Sequence, residues 1–93
     1  MIRSFACRET ERIFNDEVSR KLPRNIQQSA RRKLLLLHQA RILDDLRVPP
    51  GNRLELLKGN RSGQHSIRVN NQWRICFHWA NNEAVNVEIV DYH

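Results

Sequence analysis

The chain has 93 residues, 40% of them hydrophobic and 28% charged, with 16 Lys and Arg against 10 Asp and Glu for a net charge of +6. That length holds one small domain, residues 1–93, around a single core, the composition excludes a disordered chain, and the charge suits a polyanionic partner. Cys7 and Cys76 lie at opposite ends without metal-ligand spacing, which excludes a disulfide framework, and no run is apolar and long enough for a signal peptide or membrane span, so the expected location is cytoplasmic.

Residues 1–5, MIRSF, alternate briefly and read as a short first strand anchored by Phe5. Residues 9–18 carry Ile13, Phe14 and Val18 at helical spacing, with Glu9 and Glu11 near the start, where the helix dipole favours them. Pro23 interrupts in a position suited to the first turn of a second helix. From residue 25 to about 43, Ile26, Ala30, Leu34, Leu37 and Ala40 fall on one stripe, widened by Leu35 and Leu36. The basic run Arg31, Arg32, Lys33 within this helix is either a solvated face or a face lying along RNA. Val48-Pro49-Pro50-Gly51 ends the helical half, because neither proline fits a helix interior.

Beyond that point the period changes from 3.6 to 2. Residues 53–57 read as a short strand, and Gly59 and Gly63 bracket a tight loop carrying Lys58 and Arg61. SIRV and WRICF, joined by Asn70-Asn71-Gln72, read as a hairpin, and residues 84–90 as a last strand with Val85, Val87 and Ile89 on one face. The hairpin's register follows from its faces: pairing Ile67 with Ile75 keeps the apolar side chains together and sets Arg68 opposite Arg74. Like charges facing each other in a sheet are unfavourable, so either an anion belongs between them or both guanidiniums splay into water. Helices in one half and strands in the other predict an α+β fold, with two helices on one face of a small, mostly antiparallel sheet. Trp73, Ile75, Phe77 and Trp79 would face the helices. Arg68, Arg74 and His78 would look out from an open cationic face.

The terminal Asp91-Tyr92-His93 concentrates a carboxylate, a phenol and an imidazole just past the last strand, either as a frayed tail or as an acid–base group. The four histidines are scattered without zinc-ligand spacing, and no glycine-rich phosphate loop separates a strand from a helix, so neither a metal nor another cofactor is expected. Lys58, Arg68 and Arg74 beside Tyr92 and His93 suit one reaction class. RNA is cut by its own 2′-hydroxyl when a protein moves two protons and neutralises the pentacoordinate phosphate.

KGNRSGQHSIRVNNQWRICF at residues 58–77, followed by VNVEIVDYH at the terminus, resembles the HigB toxins of the RelE-like superfamily; MIRSF and PPGNRLELLKG match as well. The resemblance implies a microbial-ribonuclease-like fold and ribosome-dependent cleavage of messenger RNA in the A site. It also implies neutralisation by a HigA-like helix-turn-helix antitoxin, through which the complex would reach operator DNA. The family's catalytic positions fall on Lys58, Arg68, Arg74, Asp91, Tyr92 and His93. Where some members carry a histidine before the lysine of the KG turn, this chain has Glu55, either a base or only a strand residue. Two other readings of the residues are a non-catalytic toxin of the ParE type, which inhibits DNA gyrase, and a small basic nucleic-acid-binding domain.

Overall fold

The computed structural model describes residues 1–92. Helix α1 (Arg8–Phe14) carries Glu9 and Glu11 in its first turn and Arg12 in its last, and buries Thr10 and Ile13. It stops short of the expected residue 18 because Asp16 turns left-handed at φ 64°, leaving Val18 half exposed instead of on a helical stripe. The linker that follows is tied down by Ser19, which has almost no accessible surface. Its hydroxyl donates to Glu9 Oε1 at 2.7 Å and accepts from the Lys21 and Leu22 amides.

Helix α2 (Arg24–Gln39) buries Ile26, Ala30, Leu34 and Leu37, the stripe its spacing dictates. It ends before the expected residue 43. The Asp45 carboxylate accepts from the Arg41 and Ile42 amides at 2.9 and 3.2 Å, and these would otherwise continue the helix. Those two bonds hold the Asp45 carboxyl below its ordinary range. A 3₁₀ turn (Leu43–Arg47) then drives Leu46 into the core.

Among the described residues, four strands, β1 (Glu55–Leu56), β2 (His65–Arg68), β3 (Trp73–Ala80) and β4 (Glu83–Asp91), form one antiparallel sheet in chain order. Ile67 faces Ile75 and Arg68 faces Arg74, as the alternation predicts. Ile67, Ile75, Phe77, Val87 and Ile89 join Ile13, Ile26, Leu34 and Leu37 in the core, with Trp73 and Trp79 packed against it. No helix among the described residues is long and apolar enough to cross a membrane.

Three further expectations change in the sheet. Residues 1–5 form no strand of their own; they touch β4 through two isolated parallel bridges, Ile2 with Ala84 and Phe5 with Val87. Val85 does not share a face with Val87. Asn86 adopts φ 55°, and between the pairs Cys76–Glu88 and His78–Val85 strand β4 has one residue more than β3. That bulge reverses the parity, so Ala84 enters the core and Val85 stands opposite His78. The face away from the helices is not open either: Ser66 and Cys76 are fully buried and Arg74 is only 7% exposed. The Arg61 side chain reaches across this face to Gln64 and Glu88, and burial pushes the Cys76 thiol up.

Candidate active site

Arg74 is the centre of the site, and everything that holds it comes from other strands and turns. Its Nε donates to Ser66 Oγ at 2.7 Å, and its Nη2 donates to the Arg53 carbonyl at 2.6 Å and more weakly to the Ser66 carbonyl. The Arg53 carbonyl points there because Arg53 takes a left-handed conformation, φ 46°, on leaving the 3₁₀ turn Pro50–Asn52. A guanidinium gripped through two nitrogens has a fixed plane, which suits it to a phosphoryl group.

Two groups that can exchange protons flank this cation. Glu55 Oε1 lies 3.8 Å from Arg74 Nη2. The Tyr92 ring centroid lies 5.6 Å from the guanidinium carbon, in cation–π range, with the residue 44% exposed. Tyr92 is set by its amide, which donates to the Gln72 carbonyl at 2.6 Å. Asp91 pairs with Trp73 at the end of β4, and its carboxylate accepts from Gln72 Nε2 at 3.0 Å. The β2–β3 turn therefore holds Asp91 and Tyr92. Arg68 stands opposite Arg74 and donates to the Asn71 side chain in the same turn.

Lys33 reaches this region from α2. Its Nζ donates to Asn52 Oδ1 at 2.5 Å, and Asn52 is fully buried, donating in turn to the Leu46 carbonyl. Partial burial, then the positive charges of Arg32 and Arg68, lower the Lys33 pKa. An anion bound beside Lys33 would offset those like charges.

The other cations that the sequence singles out are placed differently. Arg31 turns toward Asp16, 3.6 Å away at the end of α1. Arg32 donates to Ser29 one turn earlier. Arg61 folds back onto the sheet against Glu88 and Gln64. Lys58 is exposed at the head of the 3₁₀ turn Gly59–Arg61, where Gly59 supplies the left-handed φ of 67° that the tight loop requires. His93 lies outside the described residues. Among the described residues, no group of three or more His, Cys, Asp or Glu side chains is placed to hold a metal ion.

Ser66 and Asn52 escaped sequence reasoning. Alternation in Ser66-Ile67-Arg68-Val69 already puts Ser66 on the arginine face, so the hydroxyl that holds Arg74 was readable there. Asn52 left no comparable signal, because an Asn after Pro-Pro-Gly reads simply as a turn residue.

The family described as the RelE-like toxin HigB of type II toxin–antitoxin systems matches residues 3–93. Toxin HigB-1 of Vibrio cholerae serotype O1 is 41% identical over 87 residues, covering 92% of each chain. Endoribonuclease HigB of Proteus vulgaris is 30% identical over 93 residues, the whole of both. A chain in a heterotetrameric YoeB–YefM toxin–antitoxin complex from Staphylococcus aureus superposes with a TM-score of 0.61 at 14% identity, covering all of this chain and 98% of that one. That likeness concerns the fold.

Proposed function

The chain belongs to the HigB family of RelE-like toxins of type II toxin–antitoxin systems, and from that membership we propose that it is an endoribonuclease that cuts messenger RNA in the ribosomal A site. The observation that carries this reading is Arg74, gripped by Ser66 and the Arg53 carbonyl, with a carboxylate and a phenol beside it. The name of the Proteus vulgaris relative supports the activity.

Arg74 and Arg68 hold the scissile phosphate, with Lys58 and Lys33 adding positive charge from the neighbouring turn and helix. Tyr92 and His93 share the proton transfers, and Asp91 orients the tail. These groups meet the needs of 2′-hydroxyl attack: a fixed charge for the phosphoryl oxygens and donors matched to a departing 5′ oxygen. The ribosome supplies positioning, since placing the strand in a near-attack geometry removes a large part of the barrier. The toxin acts in the cytoplasm. A HigA-like antitoxin is its partner and carries the complex to operator DNA. The YoeB chain of like fold is itself found with YefM.

The test is expression of Arg74→Ala, Arg74→Lys and a His93 deletion beside the unaltered chain, with growth and messenger RNA cleavage as readouts. Each variant is expected to lose cleavage by ~10²-fold or more, the scale of removing a fixed transition-state donor, while still folding and binding antitoxin. Arg74→Lys keeps the charge, so its loss isolates the two-nitrogen grip. Growth arrest with DNA damage and intact messenger RNA would favour the gyrase-inhibiting reading; ribosome binding without a cut would favour a plain RNA-binding domain.

A further inference from the structure

Arg61 closes the 3₁₀ turn Gly59–Arg61, whose head is Lys58, in the connection between β1 and β2. Its Nη1 donates to Gln64 Oε1 at 3.1 Å and to Glu88 Oε1 at 3.4 Å. Glu88 belongs to β4, on the opposite edge of the sheet from β1. It pairs with Cys76 of β3, which pairs in turn with Ser66 of β2, so these three residues form one row across the sheet. The Arg61 side chain thus ties the β1–β2 loop to the far strand, along the row whose Ser66 holds Arg74. The loop itself is permissive. Gly59 and Gly63 take φ of 67° and 91°, and among the described residues no atom lies within 4 Å of where a Cβ would stand on either. These glycines provide backbone freedom, not close packing. Backbone bonds close the loop's base, from the Leu57 amide to the Gln64 carbonyl at 2.8 Å and from the Gln64 amide to the Arg61 carbonyl at 3.0 Å. The ion pair adds little to stability, since both side chains are 34% exposed. Its consequence is geometric: it fixes the turn that carries Lys58.

Resting on the ribonuclease reading above, we propose that Arg61 is a positioning residue for Lys58, acting through Glu88. Tied to β4, it holds the Gly59–Arg61 turn against the sheet, so that the Lys58 ammonium meets the scissile phosphate from a fixed backbone. Lysine carries its charge on a flexible four-carbon stem, so the stem's root must be set by something else. Displacing a catalytic charge by about an ångström is enough to slow a reaction heavily. Arg61 uses its own charge inside the fold and not on RNA. A direct phosphate contact by Arg61 predicts the opposite sign for Glu88. If Arg61 grips RNA, removing the Glu88 carboxylate frees the guanidinium and takes a negative charge away from a polyanion, and RNA binds more tightly. If Arg61 is a strap, the same change unfastens the turn and slows cleavage.

The experiment is single-turnover cleavage of a defined messenger RNA on translating ribosomes, with the full chain in excess over ribosomes. The variants are Glu88→Gln, Arg61→Gln, Lys58→Ala and each of the first two combined with Lys58→Ala. Thermal melting and antitoxin binding serve as fold controls. Glu88→Gln and Arg61→Gln are each expected to lower the rate at saturating toxin by ~10-fold or more, with the half-saturating toxin concentration unchanged. In the Lys58→Ala background neither is expected to slow cleavage further, because no ammonium is left to place. A general loosening of the fold would slow both backgrounds alike. Cleavage by Glu88→Gln at or above the unaltered rate, or losses that persist in full beside Lys58→Ala, overturns the assignment and leaves the ribonuclease reading standing. An unaltered chain that leaves the message uncut overturns both.

Discussion

Ser66 shows how a small side chain decides where a large one goes. It has no accessible surface, and its hydroxyl gives Arg74 Nε an acceptor that the buried guanidinium cannot find in water. His65, its neighbour, points the other way. Its ring stacks on Phe77 at 6.2 Å, and burial, then the charge of Arg47, lower its pKa from the ordinary 6.5. Between that lowered value and 6.5 the unfolded chain binds more protons than the folded one, so stability is full above about 6.5 and falls as pH drops through the window. His65→Phe, which keeps the stack and removes the titration, is expected to show a flatter loss of urea midpoint between pH 7.5 and 5.0. Equal acid losses in both proteins would show that His65 does not carry the effect. The sequence shows that both residues lie in one strand on opposite faces. It does not show that one would hold Arg74 and the other stack on the core residue Phe77, since that depends on what covers each face.

The hairpins separate what local pattern encodes from what it does not. Register between β2 and β3 was legible, because a one-residue slip would set Ile67 against Arg74 and mix the faces. The β3–β4 turn is equally explicit. Asn81 and Asn82 both take positive φ, 54° and 61°, between the paired Ala80 and Glu83, as a two-residue type I′ turn requires. Asn82→Gly is expected to stabilise the protein by ~0.5–1 kcal/mol, and Asn82→Val to destabilise it by ~1–2 kcal/mol, because β-branched side chains resist that backbone region. Urea midpoints of the three proteins check this. Midpoints that coincide would mean that the turn does not bear on folding. The bulge at Asn86 was not legible: one extra residue in an alternating strand leaves the composition unchanged and reverses only the parity. The early end of α2 was hidden for a related reason. A helix-forming sequence runs on past Gln39, and Asp45, reaching back to the Arg41 and Ile42 amides, stops it.

At the scale of the molecule, the net charge of +6 is unevenly used. Arg12, Arg31 and Arg61 are paired within the fold with Glu9 and Glu17, with Asp16 and with Glu88. Burial, then the charges of Arg32 and Arg68, lower the Lys33 pKa beside the site. Ribosome or RNA binding is therefore expected to depend on Lys33 far more than on Arg31. In a salt titration, Lys33→Gln lowers the slope of log K against log salt by about 0.7 for each single-strand phosphate left without its cation, and Arg31→Gln leaves it nearly unchanged. Equal slope changes would return Arg31 to the RNA-facing surface.

The sequence by itself determined the α+β class, the leucine stripe and the pairing of Arg68 with Arg74, because period and alternation are written in neighbouring residues. Only the tertiary structure decided that the arginine face is closed, that the Arg53 carbonyl fixes Arg74 across 21 residues, and that Glu55 meets the same guanidinium. Those contacts depend on how a turn closes and on a left-handed arginine that local preference disfavours, so no stretch of the chain announces them.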